Sequence, residues 1–126
     1  MRLLLDTHTF LWWLNDDSNL HEAARVSISS PSSTVWVSTA SLWEISIKQS
    51  LGKLQVDLGR LIPGILASGF IELPISAEHA LAAGGLPKHH KDPFDRMLIA
   101  QTQVEELTLV TRDPAFGDYG VQILPT

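Results

Sequence analysis

The sequence predicts one α/β domain of three layers, with helices on both faces of a mostly parallel central sheet. Three observations lead there. Short apolar, β-rich runs alternate with helix-like runs along the chain, the order expected of parallel strands joined by crossover helices. With 126 residues and 44% hydrophobic content, the chain is long enough to enclose one core and too short for two. No internal repeat or low-complexity linker divides it, so residues 1–126 read as a single domain.

Each element has a local reason. Leu3–Asp6 reads as the first strand, and a helix from His8 to Leu14 ends in the polar turn Asn15-Asp16-Asp17-Ser18. A second helix, His21–Ile28, is stopped by Ser29-Ser30-Pro31. Thr34–Ser38 is a β-branched strand. Ala40–Ser50 mixes Leu42, Trp43, Ile45 and Ile47 with polar positions, and Gly52 closes it as a helix. Leu58–Ser68 is expected to be a helix that Pro63-Gly64 bends or splits. Ile71–Leu73 is a brief strand ended by Pro74, and Ser76–Ala83 is an Ala-rich helix stopped by Gly84-Gly85. Leu86–Lys91 reads as a loop rich in His and Lys. Asp92-Pro93 opens the best-defined helix, which runs to Glu106. Leu107–Thr111 is a buried-type strand, and Val121–Leu124 is a last strand at an edge of the sheet.

Composition removes several classes of chemistry. The chain has no cysteine, which excludes disulfides, thiolate zinc sites and thiol nucleophiles, and which fits a cytoplasmic protein. The apolar start Leu3-Leu4-Leu5 is cut by Asp6 before a signal-peptide core forms, and no apolar stretch approaches the length that crosses a bilayer, so a soluble protein is expected. No glycine-rich phosphate loop is present, which argues against P-loop and dinucleotide-binding proteins. The net charge of −5 argues at face value against a nucleic-acid partner. Much of that charge, however, belongs to a pattern of four acids.

Asp6 ends the first strand, Glu44 lies early in the helix after the second strand, Asp95 sits in the first turn of the Pro93 helix, and Asp113 follows the strand Leu107–Thr111. In an open parallel sheet all four fall at the carboxyl edge, where functional groups gather beside helix N-termini. Such hard oxygen ligands suit Mg²⁺ or Mn²⁺. The matching chemistry is phosphodiester cleavage, in which the metal generates the nucleophile from water and stabilises the charge that develops. A bound cation also cancels the local field that repels phosphate, leaving the remainder of the chain nearly neutral. Taken singly, each acid has a structural reading as well. Asp6 is a candidate N-cap, Ser41-Leu42-Trp43-Glu44 a formal capping box, Asp92-Pro93 a cap and first-turn pair, Asp95 a partner of the helix dipole, and Asp113-Pro114 a turn starter.

Four segments carry a resemblance. Leu4-Leu5-Asp6-Thr7-His8-Thr9-Phe10-Leu11-Trp12 is similar to the opening of PIN-domain proteins. Ser41-Leu42-Trp43-Glu44-Ile45, the run from His89 through Asp92-Pro93-Phe94-Asp95-Arg96 to Gln101, and Leu109-Val110-Thr111-Arg112-Asp113 resemble their later motifs in the same order. Within that family the chain looks most like compact VapC-type toxins of toxin–antitoxin pairs. The resemblance implies a divalent-metal endoribonuclease with a PIN-like α/β/α fold and Asp6, Glu44, Asp95 and Asp113 as its acidic set. Asp6 and Asp95 would bind the principal ion, Glu44 would act through water or orient the nucleophile, and Asp113 would complete the site or a second ion. Thr111, and Thr7 as a further candidate, would support these carboxylates. Asp92 reads as a cap rather than a ligand. The implied products carry a 5′-phosphate and a 3′-hydroxyl, and the implied partners are RNA, a cognate antitoxin and a second copy of the chain.

Other residues are weighed against this frame. Lys88, His89, His90, Lys91, Arg96 and Arg112 flank the acids and are candidates for RNA phosphate contacts, with a solvated polar loop as the alternative. Adjacent histidines seldom face one ion, so a zinc site at His89, His90 and Asp92 is disfavoured. Trp36 and Trp43 are expected in the core. Trp12 and Trp13 cannot share a helix face, so one should be partly exposed and offer a surface to an antitoxin segment or a second copy. A phosphatase with an aspartyl nucleophile is disfavoured because Asp6-Thr7-His8 lacks a second Asp. A non-catalytic PIN-like module that binds RNA or protein is the remaining alternative.

Overall fold

The computed structural model describes residues 1–126 as a five-stranded, wholly parallel sheet with six α-helices. The strands are β1 (Arg2–Leu5), β2 (Thr34–Ser38), β3 (Ile71–Leu73), β4 (Thr108–Thr111) and β5 (Gln122–Pro125), in the order β3-β2-β1-β4-β5. The helices are α1 (Thr7–Leu14), α2 (Glu22–Ser29), α3 (Thr39–Ser50), α4 (Leu61–Ala67), α5 (Ala77–Gly84) and α6 (Pro93–Val104).

The period of two along a strand divides the core. Leu3 and Leu5 of β1 face one side, where they pack with Phe10 of α1, Ala24 and Ile28 of α2, Ile45 of α3 and Ile65 of α4. Leu4 faces the other side, with Leu109 of β4, Ala83 of α5 and Leu98, Ile99 and Ala100 of α6. All three leucines are fully buried. An apolar run with no polar alternation is what a central strand covered on both faces requires. The expected three-layer architecture is therefore the observed one.

From β1 the chain steps outward to β2 and β3, then returns to the opposite side of β1 to lay down β4 and β5. The direction of winding reverses between β1 and β4, which pair from Leu3↔Thr108 to Leu5↔Val110. At such a reversal the crossover connections leave on opposite sides and a crevice opens beyond the carboxyl ends of the two strands.

Three local expectations need correction. Helix α3 starts at Thr39, with the Ser38 side chain accepting from Ala40 N; the capping box read at Ser41 and Glu44 therefore lies inside the helix, and both side chains are free for other work. The span Leu58–Ser68 is divided, but before Pro63-Gly64 rather than at it: a 3₁₀ turn, Leu58–Arg60, precedes α4, and Pro63 falls in the first turn of α4, where an amide hydrogen has no helical partner. Trp43 is 59% exposed rather than core and meets the Phe94 ring edge-on at 5.2 Å. Trp12 and Trp13 are both half-buried. No helix is long and apolar enough to cross a membrane.

Candidate active site

The crevice at the winding reversal is a cavity of about 430 Å³ lined by Asp6, Asp95 and Asp113 together with His8, Trp12, Arg112 and Phe116. Three of the four expected acids therefore share one cavity, delivered by the end of β1, the start of α6 and the end of β4. A cavity of about 490 Å³ lies at the other edge, near Thr108 and Gln122 where β4 and β5 begin, and Glu106 is its one carboxylate.

Asp6 caps α1: its Oδ1 accepts from Thr9 N at 2.9 Å. Its own N–H donates to Val110 O, and the Thr9 hydroxyl donates to the same carbonyl, so the start of α1 is tied to β4. The capping role and the cavity role coexist in one carboxylate, because Oδ2 is left over. Asp92 is the N-cap of α6, accepting from Phe94 N and Asp95 N, as expected. That cap holds Asp95 in the first turn of the helix and aims it at the cavity.

Asp95 is the electrostatically stressed member. Its carboxyl is pushed up from 3.8 to about 6, chiefly by burial, then by the charges of Asp92 and Glu44 and, more weakly, Asp6; His90 acts in the opposite sense. Asp95 thus feels three other carboxylates, although Glu44 does not line the cavity. Glu44 is buried in α3, where its Oε1 accepts from the Thr7 hydroxyl at 2.7 Å and its Oε2 from Lys48 Nζ at 2.7 Å. The Ser41 hydroxyl lies 3.0 Å from the Thr7 hydroxyl. The Lys48 amine is held above its usual range, first by that hydrogen bond to Glu44.

Asp113 is fixed from three directions. Its N–H donates to the buried Thr111 hydroxyl at 3.1 Å, its Oδ1 accepts from Ala115 N, and its Oδ2 lies 3.5 Å from His90 Nε2. The Tyr119 hydroxyl accepts from His90 N at 2.8 Å and lies 3.1 Å from Nδ1, so Tyr119 and Asp113 stand at the two ring nitrogens of His90. His90 also stacks flat on Phe116, with ring centroids 4.9 Å apart.

The basic candidates separate. Arg112 lines the cavity, with its guanidinium 4.3 Å over the Trp12 ring and its Nε and Nη2 donating to the carbonyls of Thr126 and Asn19. Arg96 requires correction as a phosphate contact: its guanidinium donates to the carbonyls of Ala83, Leu86, Pro87 and His90, so it clamps the segment before α6 and has little left for an anion. Lys88, His89 and Lys91 lie exposed on that segment, and His89 meets Tyr119 edge-on. None of the three lines the cavity.

Sequence reasoning missed Lys48, Tyr119, and the cavity roles of His8, Trp12 and Phe116. Two signals were available: Lys48 lies four residues after Glu44, and Trp12 four after His8, each spacing one face of a helix.

No three Asp, Glu or His side chains converge closely enough to grip one ion jointly. Mg²⁺ does not ask for that, since it keeps most of its octahedral waters and takes only one or two carboxylates. The donor set fits a hard divalent cation. Three carboxylates line the cavity, they include an Asp whose charge is disfavoured by burial and by its like-charged neighbours, and the His90 imidazole beside Asp113 is already engaged with Tyr119.

The PIN-domain family profile matches residues 3–122. Compared by sequence with curated proteins, the chain has no match. Among solved structures it is similar to a chain of VapBC2 from Rickettsia felis bound to a DNA fragment from their promoter, with a TM-score of 0.75 and 17% identity over 99% of this chain and 98% of that one. It is also similar to a chain of DNA-bound VapBC from Salmonella typhimurium, with a TM-score of 0.68 and 19% identity over 99% and 98%. A third similarity is to VapBC-5 of a Mycobacterium tuberculosis toxin–antitoxin system, with a TM-score of 0.63 and 21% identity over 99% and 98%. At these identities the likeness concerns the fold. With the profile spanning nearly every residue, the chain belongs to the PIN-domain family.

Proposed function

We propose that this protein is an endoribonuclease dependent on Mg²⁺ or Mn²⁺, and that it is the toxin of a toxin–antitoxin pair. The observation that carries the nuclease reading is the meeting of Asp6, Asp95 and Asp113 in one cavity, with Asp95 stressed by its like-charged neighbours. Asp6 and Asp95 are the residues that would hold the ion, with Asp113 across the cavity. When bound, the ion supplies a deprotonated water at neutral pH and charge stabilisation on the phosphate oxygens.

The chain's own residues account for the rest of the site. The Asp92 cap and the Val110 carbonyl fix the two backbones that carry Asp95 and Asp6. Thr7 and Lys48 satisfy both oxygens of the buried Glu44 side chain and hold it in place behind the cavity. Thr111, Ala115 and His90 hold Asp113. Arg112 is a cation at the rim of an otherwise acidic cavity and would meet a substrate phosphate. The overall reaction adds water to phosphorus and breaks the bond to the 3′ oxygen, which takes up a proton; the ends left are a 5′-phosphate and a 3′-hydroxyl.

The partner reading is supported by the similar structures, which are VapBC complexes. An antitoxin that covers the cavity, and a homodimer in the cytoplasm, complete the proposal. The test is cleavage of a panel of RNAs by purified protein with Mg²⁺ or Mn²⁺, against EDTA and against Asp6→Asn and Asp95→Asn. Loss of about 100-fold or more in each control is expected. Equal cleavage in every sample would mean a contaminating nuclease. Silence of the unmodified protein on every RNA would favour a non-catalytic binding module. Co-purification of a small protein encoded beside this one tests the toxin assignment separately.

A further inference from the structure

Two acids of the cavity arrive on separate elements, Asp95 on α6 and Asp113 after β4, and one side chain joins the segments that carry them. Every hydrogen bond between residues 86–92 and residues 112–119 is made by His90. Its N–H donates to the Tyr119 hydroxyl at 2.8 Å, the same hydroxyl lies 3.1 Å from Nδ1, and Nε2 lies 3.5 Å from Asp113 Oδ2. The ring lies flat on Phe116, with the two planes 7° apart. On the other side the His90 carbonyl accepts from Arg96 of α6, and two residues later Asp92 caps that helix and holds the Asp95 N–H.

The imidazole is 11% exposed and committed to these internal contacts, so it has little to offer an RNA phosphate. The Asp113 side chain, in contrast, is 48% exposed, and its Oδ1 is tied only to Ala115 N. Oδ2 has one partner, His90 Nε2. An imidazole aligns a carboxylate only when its own plane is held. Phe116 fixes the tilt of that plane, and Tyr119 fixes the rotation within it, because the two nitrogens belong to one rigid ring. A turn that loses the Tyr119 hydroxyl swings Nε2 away from Asp113. Partners of this kind, which touch the group that touches the reaction, commonly decide whether a carboxylate stands in its working position.

We propose that Tyr119 and His90 are positioning residues: Tyr119 orients the His90 imidazole, and His90 holds the Asp113 carboxylate at a set place relative to Asp95. The 3₁₀ segment Pro114–Tyr119 thereby controls the geometry of the acidic cavity from outside it. Neither residue lines that cavity, and the Tyr119 ring lines the one at the opposite edge of the sheet. The inference rests on the nuclease reading for its effect on rate, and it adds two residues to that reaction.

The test uses one spectroscopic and one kinetic readout. Tyr119 is the only tyrosine, so protein labelled with ¹³C at tyrosine Cζ gives a single carbon signal that reports the bonding of the hydroxyl. In the metal-free protein, Asp113→Asn and His90→Gln should each move that signal, the first without touching Tyr119 itself. Steady-state RNA cleavage with Mg²⁺ is then compared across three variants, with circular dichroism to confirm folding. Tyr119→Phe removes the hydroxyl. His90→Asn keeps a polar group near the place of Nδ1 and loses the one facing Asp113, whereas His90→Gln reaches toward Asp113 and loses the one at Tyr119. A fall in kcat of about 5-fold for Tyr119→Phe and about 10- to 100-fold for His90→Asn is expected, with KM for RNA unchanged. His90→Gln should recover part of the rate that His90→Asn loses. A raised KM with the parent's kcat in the His90 variants would make His90 a phosphate contact and overturn the proposal. A tyrosine signal indifferent to Asp113→Asn would overturn it as well. So would the parent's kcat in Tyr119→Phe, and that variant carries the kinetic test if a His90 variant fails to fold. If the unmodified protein cleaves no RNA, the nuclease reading falls by itself, and the carbon signal decides whether Tyr119, His90 and Asp113 are coupled.

Discussion

Replacing Asp95 by Asn should make the metal-free protein more stable while it destroys the proposed activity. The perturbation is nearly isosteric and leaves the Asp95 N–H on its Asp92 cap. Asp95 is moved from 3.8 to about 6 by burial and by Asp92, Glu44 and Asp6. A shift of that size, fully realised, costs the folded state about 3 kcal/mol once the group is ionised. The side chain is only half-buried, and solvent screening reduces the figure to about 1–2 kcal/mol. Loss of a carboxylate from the first turn of α6 returns about 0.5 kcal/mol in the other direction. The net gain expected for Asp95→Asn is about 1 kcal/mol, or about 3–5 °C in Tm for a domain of this size.

The pH dependence has a definite sign. The folded state holds the Asp95 proton more tightly than the unfolded chain, so the favourable contribution of the protonated group is complete below 3.8 and is lost as pH rises through about 6. The variant should therefore exceed the unmodified protein most clearly at pH 7.5 and match it near pH 4. Urea denaturation in EDTA at both values measures this. Saturating Mn²⁺ should reverse the order at pH 7.5, because a ligand that binds only the folded state raises its stability. A variant less stable than the parent at pH 7.5 in EDTA, or a difference that does not shrink toward pH 4, would refute the electrostatic account of this site.

Further outcomes follow from other contacts. Lys48→Met leaves Glu44, 5% exposed, without its ion-pair partner, and should lower unfolding stability by about 1–2 kcal/mol at pH 7; an unchanged urea midpoint would show that Thr7 alone suffices. Arg96→Lys trades a fork that reaches four carbonyls for a single ammonium, and about 2 kcal/mol of lost stability is expected, with faster trypsin cleavage at Lys88 and Lys91. Equal digestion rates would mean the clamp is redundant. Glu106 follows the end of α6 at φ +54°, where glycine carries no side-chain penalty. Glu106→Gly should raise the thermal midpoint by the equivalent of about 0.5–1 kcal/mol, read by calorimetry.

Much of the fold was legible in the residues because its signals are local. The unbroken Leu3-Leu4-Leu5 run announces a strand covered on both faces, Thr34–Ser38 is rich in β-branched residues, and Asp92-Pro93 writes its own helix start. The edges blurred where two local codes compete. Ser41 and Glu44 satisfy a capping formula, yet Ser38 takes the cap because β2 ends there and the chain must turn at once.

By itself the sequence determined which residues are acidic, in which order they come, and that each stands beside a strand end or a helix start. Only the tertiary structure decided that Asp6, Asp95 and Asp113 share a cavity, that Glu44 is turned away toward Thr7 and Lys48, that Arg96 serves the backbone, and that Trp12 faces the acids while Trp43 faces solvent. The physical reason is the reversal of winding between β1 and β4. Hydrophobic periodicity fixes what each element buries on its own, but the meeting of residues 6, 95 and 113 depends on strand order, which is set by the packing of all the crossovers together.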